Sequence, residues 1–351
     1  MVTEQFGALT TREISSEVNA AASTELVNSL NDFSFSLHRA VSAVEPEAGS
    51  VESGFSAAMA LLLASAATGG DTLAALNNLL GTDDLSEDDL HDAANQLSQM
   101  LESTGNEDLV LHTANRVFVR QGLDLQTGFL DIATGAYGAP VTEADFAGAP
   151  DVVANEVNEW AAEQTDNFIP SIVDQFDPAT EIALLNAIFL DADWRDGYES
   201  AGDQPFNAID GTLSNVPVFG GLSLLPQSID DALTAIEIPY AGDEIAMLVL
   251  MPEDLEQLES TLNADLLNEI VDSLSVTSVQ FTMPIWQLEG EFDLSQLLAP
   301  LGLPVNPWDF SRLVNGGTEL NVTSRQLAKI KVDEEGTTCL LYTSPSPRDR
   351  G

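Results

Sequence analysis

The chain has 351 residues, with 57 acidic against 11 basic, for a formal net charge of −46 at neutral pH. Such a surface makes nucleic acid a poor partner, because that binding depends on Lys and Arg neutralising phosphates. A hydrophobic content of 44% excludes an acidic disordered chain. Acids spread along the whole length, with lysine only at Lys329 and Lys331, fit a protein built for molar salt. There the Debye length falls to about 3 Å and like charges are screened. The expected source is a halophile, a haloarchaeon in particular.

No apolar run reaches membrane-spanning length. The start, Met1 to Phe6, has neither a basic nor an apolar leader region. As written the chain reads as cytoplasmic, and as extracellular if an upstream segment precedes it. No cysteine precedes Cys339, so no disulfide framework is expected.

Along the chain, Leu26, Leu30, Phe33, Leu37 and Val41 recur at helical spacing and predict an amphipathic helix over 24–44. Residues 55–67 are apolar nearly all round, as in a buried helix, and Asp71-Thr72 can cap the next one. The acidic segment 83–92 leads into a helix ending near Glu102, followed by a strand over 109–119. Helices are predicted over 125–137 and 151–165, and an apolar strand over 182–190. Two strands between Thr234 and Pro252 are joined by a turn at 240–244. Helical segments at 255–274 and 292–301 flank a strand at 276–284.

The residues after the polar turn Asp333-Glu334-Glu335-Gly336-Thr337 change character. Residues 339–351 hold the only Cys, and Cys339 to Asp349 matches one reading frame of an adapter used in sequencing libraries. They are read as adapter read-through. The expected organisation is an N-terminal extension over 1–23 and one incomplete domain over 24–338.

Several motifs lie in the 24–337 region. Ser53-Gly54-Phe55-Ser56 opens the buried helix, and Ala114-Asn115 opens a strand. Asn158-Glu159-Trp160 is followed by Thr165 and Ile169. Asn186-Ala187-Ile188-Phe189 precedes Trp194, Glu237-Ile238-Pro239-Tyr240 precedes Met247 and Pro252, and Asp309-Phe310-Ser311 comes later. In this order, ending on Glu334-Glu335-Gly336-Thr337, they resemble the serpin family. Gly54 stands where that family usually has Pro, and Gln326 where it has His.

The resemblance implies an α+β serpin fold: helices on a large, mainly antiparallel sheet plus two smaller sheets, with the reactive loop and C-terminal strands missing. It implies a reactive-loop hinge at Glu334, Glu335, Gly336 and Thr337. It also implies a sheet-opening cluster of Ser53, Ser56, Asn186 and Gln326, with Trp194 where the loop enters. The implied function is inhibition of a serine protease, or a cysteine protease, by loop cleavage, acyl-enzyme trapping and insertion of the loop into the main sheet. The chain is then no enzyme, carries no cofactor or metal, contacts no membrane, and is expected to be a monomer. Side chains entering the sheet should be small; Leu340, Leu341 and Tyr342 are expected to obstruct insertion, and Pro345 and Pro347 to remove ladder donors. A scissile bond counted from the hinge would fall near Arg350, inside the excluded tail, so no specificity is assigned.

The residues carry physical readings of their own. Asn186 within an apolar run must find partners, since a buried polar group left unpaired costs about 1–3 kcal/mol. A satisfied core asparagine and a gate for sheet opening both remain open. Glu334 and Glu335 read equally as solvated charge, and Trp194 as core packing. An enzyme is disfavoured: no Gly-x-Ser-x-Gly elbow occurs, and His38, His91 and His112 form no zinc or triad pattern. Residues 191–196 briefly resemble a calcium loop, but Arg195 takes a ligand position. Asn321-Val322-Thr323 reads as a chance sequon. The rival function is a non-inhibitory serpin acting as a binding or chaperone-like protein.

Overall fold

The computed structural model describes residues 11–13, 19–44, 49–164, 171–208, 211–304, 306–317, 319–320, 322 and 324–345. Helix α1 (Ala20–Val44) buries the stripe Leu26, Leu30, Phe33, Leu37 and Val41. Helix α2 (Gly54–Ala67) is buried from Ser56 onward and starts at Ser53, whose hydroxyl accepts from the Ser56 N–H. Its close approach to α1 explains the glycine at 54. A Cβ there would lie 1.9 Å from Ser34 Oγ and 2.6 Å from Ser34 Cα. Helix α3 (Gly70–Leu80) has no side-chain cap; Thr72 instead accepts from the Asp309 N–H, which places Asp71-Thr72 in the first turn.

Helices α4 (Glu87–Ser103), α5 (Thr127–Gly135) and α6 (Pro150–Gln164) follow the apolar periodicity to within a few residues. The segment 255–274 is two helices, α7 (Leu255–Thr261) and α8 (Ala264–Ser273). Asn263 breaks the run because its side chain caps the second helix through the Leu266 N–H. The segment 292–301 holds only the short α9 (Leu294–Leu298) and a 3-10 turn.

The strands in chain order begin with β1 (Leu109–Arg120), β2 (Val141–Ala144), β3 (Ile182–Asp193) and β4 (Glu199–Asn207). Next come β5 (Leu213–Ile229), β6 (Leu233–Pro239), β7 (Ala246–Pro252), β8 (Ser275–Pro284) and β9 (Trp286–Asp293). The last are β10 (Trp308–Asp309), β11 (Glu319–Leu320), β12 (Ser324–Val332) and β13 (Gly336–Pro345). Strand β4 escaped the sequence reading because it is exposed almost throughout, which leaves no apolar period.

The main sheet has six strands in the order β2-β1-β3-β13-β12-β9, antiparallel except at β1–β2. Strands β4 to β7 form a second sheet with β8 paired to β5, and β10 and β11 form a small third. This is the expected α+β architecture.

Alternate residues of the central strands face two different cores. Ile182 and Leu184 pack with α1, α2 and α5, whereas Ala183, Leu185 and Ala187 pack with Val153, Val157 and Trp160 of α6. A third cluster, with Trp194, Phe219, Ile238 and Tyr240, joins one end of the main sheet to the second sheet.

The central place of β13 departs from the expected obstruction. The backbone of residues 336–343 pairs with β3, and that of 337–345 with β12. Side chains of a strand stand off its two faces, so their bulk alone does not prevent pairing. The strand stops at Pro345, where a ladder donor is lost.

Candidate functional site

The two strands flanking β13 are tied to one helix start. Gln326 on β12 accepts from the Ser53 N–H at 3.0 Å and donates to the Ser53 carbonyl at 2.8 Å. One turn on, Ser56 Oγ donates to Asn186 Oδ1 on β3 at 2.6 Å. In register, Thr343 of β13 opposes both Asn186 and Gln326, so the cluster lies at the seam that β13 fills. All four side chains named from the sequence are buried and brought together.

The chain of hydrogen bonds runs further than the sequence indicated. Asn186 Nδ2 donates to Asn115 Oδ1 at 2.9 Å, and Asn115 Nδ2 donates to the Tyr137 carbonyl at 2.9 Å. The Tyr137 hydroxyl lies 2.7 Å from His91 Nδ1 on α4. Burial pushes the Tyr137 hydroxyl pKa up, and burial pushes His91 down to about 4, so both are neutral near pH 7. A fully neutral network costs no ion desolvation and lets every buried polar atom act as donor or acceptor. The available signal for Asn115 was its register opposite Asn186, which linear spacing does not reveal.

At the other end of β13 the hinge meets an aromatic wall. Trp194 stacks on Tyr240 with ring centroids 4.6 Å apart and planes at 9°. The indole Nε1 donates to the Asp333 carbonyl at 2.8 Å, and the Trp194 N–H donates to the Glu335 carbonyl at 3.0 Å. The buried Tyr240 hydroxyl donates to Thr337 Oγ1 at 2.8 Å, which fixes Thr337 as the first residue wholly inside the sheet.

Gly336 is required where it stands. A Cβ there would lie 2.1 Å from the Ala192 carbonyl oxygen, well inside contact distance. Glu335 is exposed and Glu334 half-buried. The residue that shapes the turn is Asp333, which was not among the sequence-named hinge residues. Its Oδ1 accepts from the N–H groups of Glu335 at 3.0 Å and Gly336 at 3.3 Å, and its Oδ2 lies 2.6 Å from Lys331 Nζ. Burial works against the Asp333 carboxylate, but the Lys331 ammonium and those two N–H groups outweigh it and hold the carboxyl below its usual range. Across the seam, burial and the neighbouring charges of Asp108, Asp191 and Asp333 raise Asp193.

Of the other singled-out residues, Asn158 ties α6 to residues 172–173, accepting from the N–H groups of Ile172 and Val173 and donating to the Val173 carbonyl. Trp160 is buried against the main sheet. Thr165 and Ile169, the sequon residues Asn321 and Thr323, and Arg350 lie outside the described residues. His38 sits between Glu52 and Glu259, at 2.5 and 3.3 Å, and His112 pairs with Gln164. Asp191 and Asp193 belong to the end of β3. No group of three or more His, Cys, Asp or Glu side chains suited to a metal occurs among the described residues.

Comparison with known proteins agrees with this geometry. The family model described as "Serpin (serine protease inhibitor)" matches residues 28–345. An uncharacterized serpin-like protein of Thermococcus kodakarensis is 28% identical, over 91% of this chain and 75% of its own. A leukocyte elastase inhibitor of Equus caballus is 28% identical, over 77% of this chain and 75% of its own. The crystal structure of tengpin, a thermophilic serpin in the latent state, superposes with a TM-score of 0.83 at 23% identity, covering 96% of this chain and 92% of that one.

Proposed function

The chain belongs to the serpin family, and we propose that the protein it derives from inhibits a serine protease by inserting its cleaved loop into the main sheet. The observation that carries this reading is the way the hinge enters the main sheet: Thr337 and Thr338 pair with both β3 and β12, and Thr337 is buried against Tyr240. A main sheet that accepts a strand at this seam is what the mechanism requires. The protease serine attacks a peptide bond in an exposed loop and forms an acyl-enzyme. The freed end then gains ladder hydrogen bonds as a new strand, and the tethered protease is carried with it before water can release it.

The chain as it stands is expected to be inactive, because the segment that would carry the bait is read as replaced after residue 338. Residues 339–351 are read as adapter read-through, with the native loop and further strands encoded beyond codon 338 of the parent gene. The deciding experiment is to sequence that gene from source DNA and express its product with a panel of serine proteases. A complex that survives boiling in detergent supports inhibition; cleavage without a complex supports the binding or chaperone-like alternative. Bulky or proline-rich residues in the native segment after Thr338 would favour that alternative, and small ones would favour inhibition. A complex formed by the chain as it stands would contradict the expected inactivity.

A further inference from the structure

The connection between β12 and β13 is a two-residue hairpin loop. Val332 opposes Thr337, the Asp333 N–H donates to the Gly336 carbonyl at 3.1 Å, and only Glu334 and Glu335 lie between. Two-residue hairpins favour turns with positive φ at one or both central positions, because those turns match the strand twist. Neither Glu334 nor Glu335 has positive φ; Asp243 is the only non-glycine residue that does among the described residues. The turn therefore draws its closure from elsewhere, and Asp333 is the residue placed to supply it.

We infer that Asp333 is the positioning residue that sets the register of the inserting strand. Every polar group of Asp333 is engaged. Its carboxylate holds the N–H groups of Glu335, the last loop residue, and Gly336, the first of β13; its N–H holds the Gly336 carbonyl, and its carbonyl accepts the Trp194 indole N–H. Lys331 pairs with the remaining carboxylate oxygen.

Register matters here more than in an ordinary hairpin. A slip of one residue turns every side chain of β13 to the opposite face. It would take Thr337 away from the Tyr240 hydroxyl and bring a residue with a Cβ to the place where Gly336 meets the Ala192 carbonyl. Asp333 thus decides which residue leads into the sheet, and Lys331 steadies the carboxylate that does so. The inference rests on reading the strand that begins at Gly336 as the inserting strand, whichever residues follow Thr338 in the parent protein.

The test uses the chain's only cysteine. Ile330 and Cys339 are direct cross-strand partners, at a separation a disulfide can span. Ile330→Cys should therefore crosslink to Cys339 under mild oxidation. Adding Asp333→Asn, which keeps the Oδ1 acceptor, should leave the crosslinking rate close to that of Ile330→Cys alone. Adding Asp333→Ala should slow it about tenfold or more, the shift expected from losing hydrogen bonds to a charged group. Cooperative unfolding of Asp333→Ala, followed separately, tells a register slip from a chain that fails to fold. Equal rates for the Asn and Ala forms, or an Asn form as slow as Ala, would overturn the role of Asp333 and leave strand insertion standing. No crosslink even with Asp333 intact would overturn both. No protease is present, so protease inhibition is judged separately.

Discussion

The Tyr240 hydroxyl donates to Thr337 Oγ1 at 2.8 Å, and both residues are 3% exposed. This bond makes the hinge specific: a buried phenol on β6's following turn is satisfied by the first residue of β13 fully inside the sheet. Desolvation pushes the Tyr240 pKa well up, so it stays a neutral donor across the physiological range.

Tyr240→Phe and Thr337→Val should each destabilise the chain by about 1–3 kcal/mol, because each leaves one buried hydroxyl without its partner. The double substitution should cost less than the sum, since no hydroxyl is then orphaned. A double-mutant cycle in urea checks this, and additive losses would mean that the bond contributes nothing of its own.

Gly336→Ala should drive β13 out of the sheet, because its Cβ would stand 2.1 Å from the Ala192 carbonyl oxygen and a backbone atom cannot swing aside. Limited proteolysis and amide exchange over residues 337–345 should both rise sharply. Protection equal to that of the parent would show that the sheet yields instead.

In the polar cluster, Asn186→Leu should cost about 1–3 kcal/mol, because it removes the acceptor of the Ser56 hydroxyl and the donor to Asn115 Oδ1. Gln326→His is the more telling change. Gln326 donates to and accepts from Ser53 without titrating; burial there would disfavour a charged histidine and lower its folded pKa, so stability should fall as pH drops below about 6.5. Unfolding free energies from pH 5 to 8 measure the added slope.

Two histidines should give slopes of opposite sign. The side-chain hydrogen bond to Glu52, and then Glu259, raise the His38 pKa against the effect of burial. Its contribution is therefore full below the unfolded value of 6.5 and is lost as pH rises through the folded value. His91 is pushed down to about 4 by burial, so its contribution is full above 6.5 and falls away as pH drops towards 4. His38→Gln should destabilise at pH 6 and converge with the parent at high pH. His91→Gln should remove part of the acid-side loss between pH 6.5 and 4. Parallel stability curves for both variants would contradict these environments.

Net charge sets the last expectation. At −46, unfolding midpoints should climb steeply as KCl is raised from dilute buffer to molar concentrations, where screening shortens to about 3 Å. A midpoint insensitive to salt would count against a halophile's protein.

How much was legible before the structure depended on how local each signal was. Helix α1 could be drawn from five apolar residues at one spacing, and Asn186 announced itself as a polar residue in an apolar run. Strand β4 carried no such signal, and the break at Asn263 depended on a cap that competes with a continuing helix. Asn115, Tyr137 and His91 joined the Asn186 network only because strand register and the packing of α4 bring together residues far apart in sequence.

The sequence by itself determined the family motifs, the acidic composition and the candidacy of Ser53, Ser56, Asn186 and Gln326 as one cluster. Those are properties of residue type and short spacing, which survive without coordinates of any neighbour. Tertiary structure alone decided that β13 lies between β3 and β12, that Thr337 meets Tyr240, and that Asp333 rather than Glu334 or Glu335 shapes the turn. Each of these depends on backbone pairing across the sheet, where a shift of one residue exchanges the two faces, and linear spacing does not encode that choice.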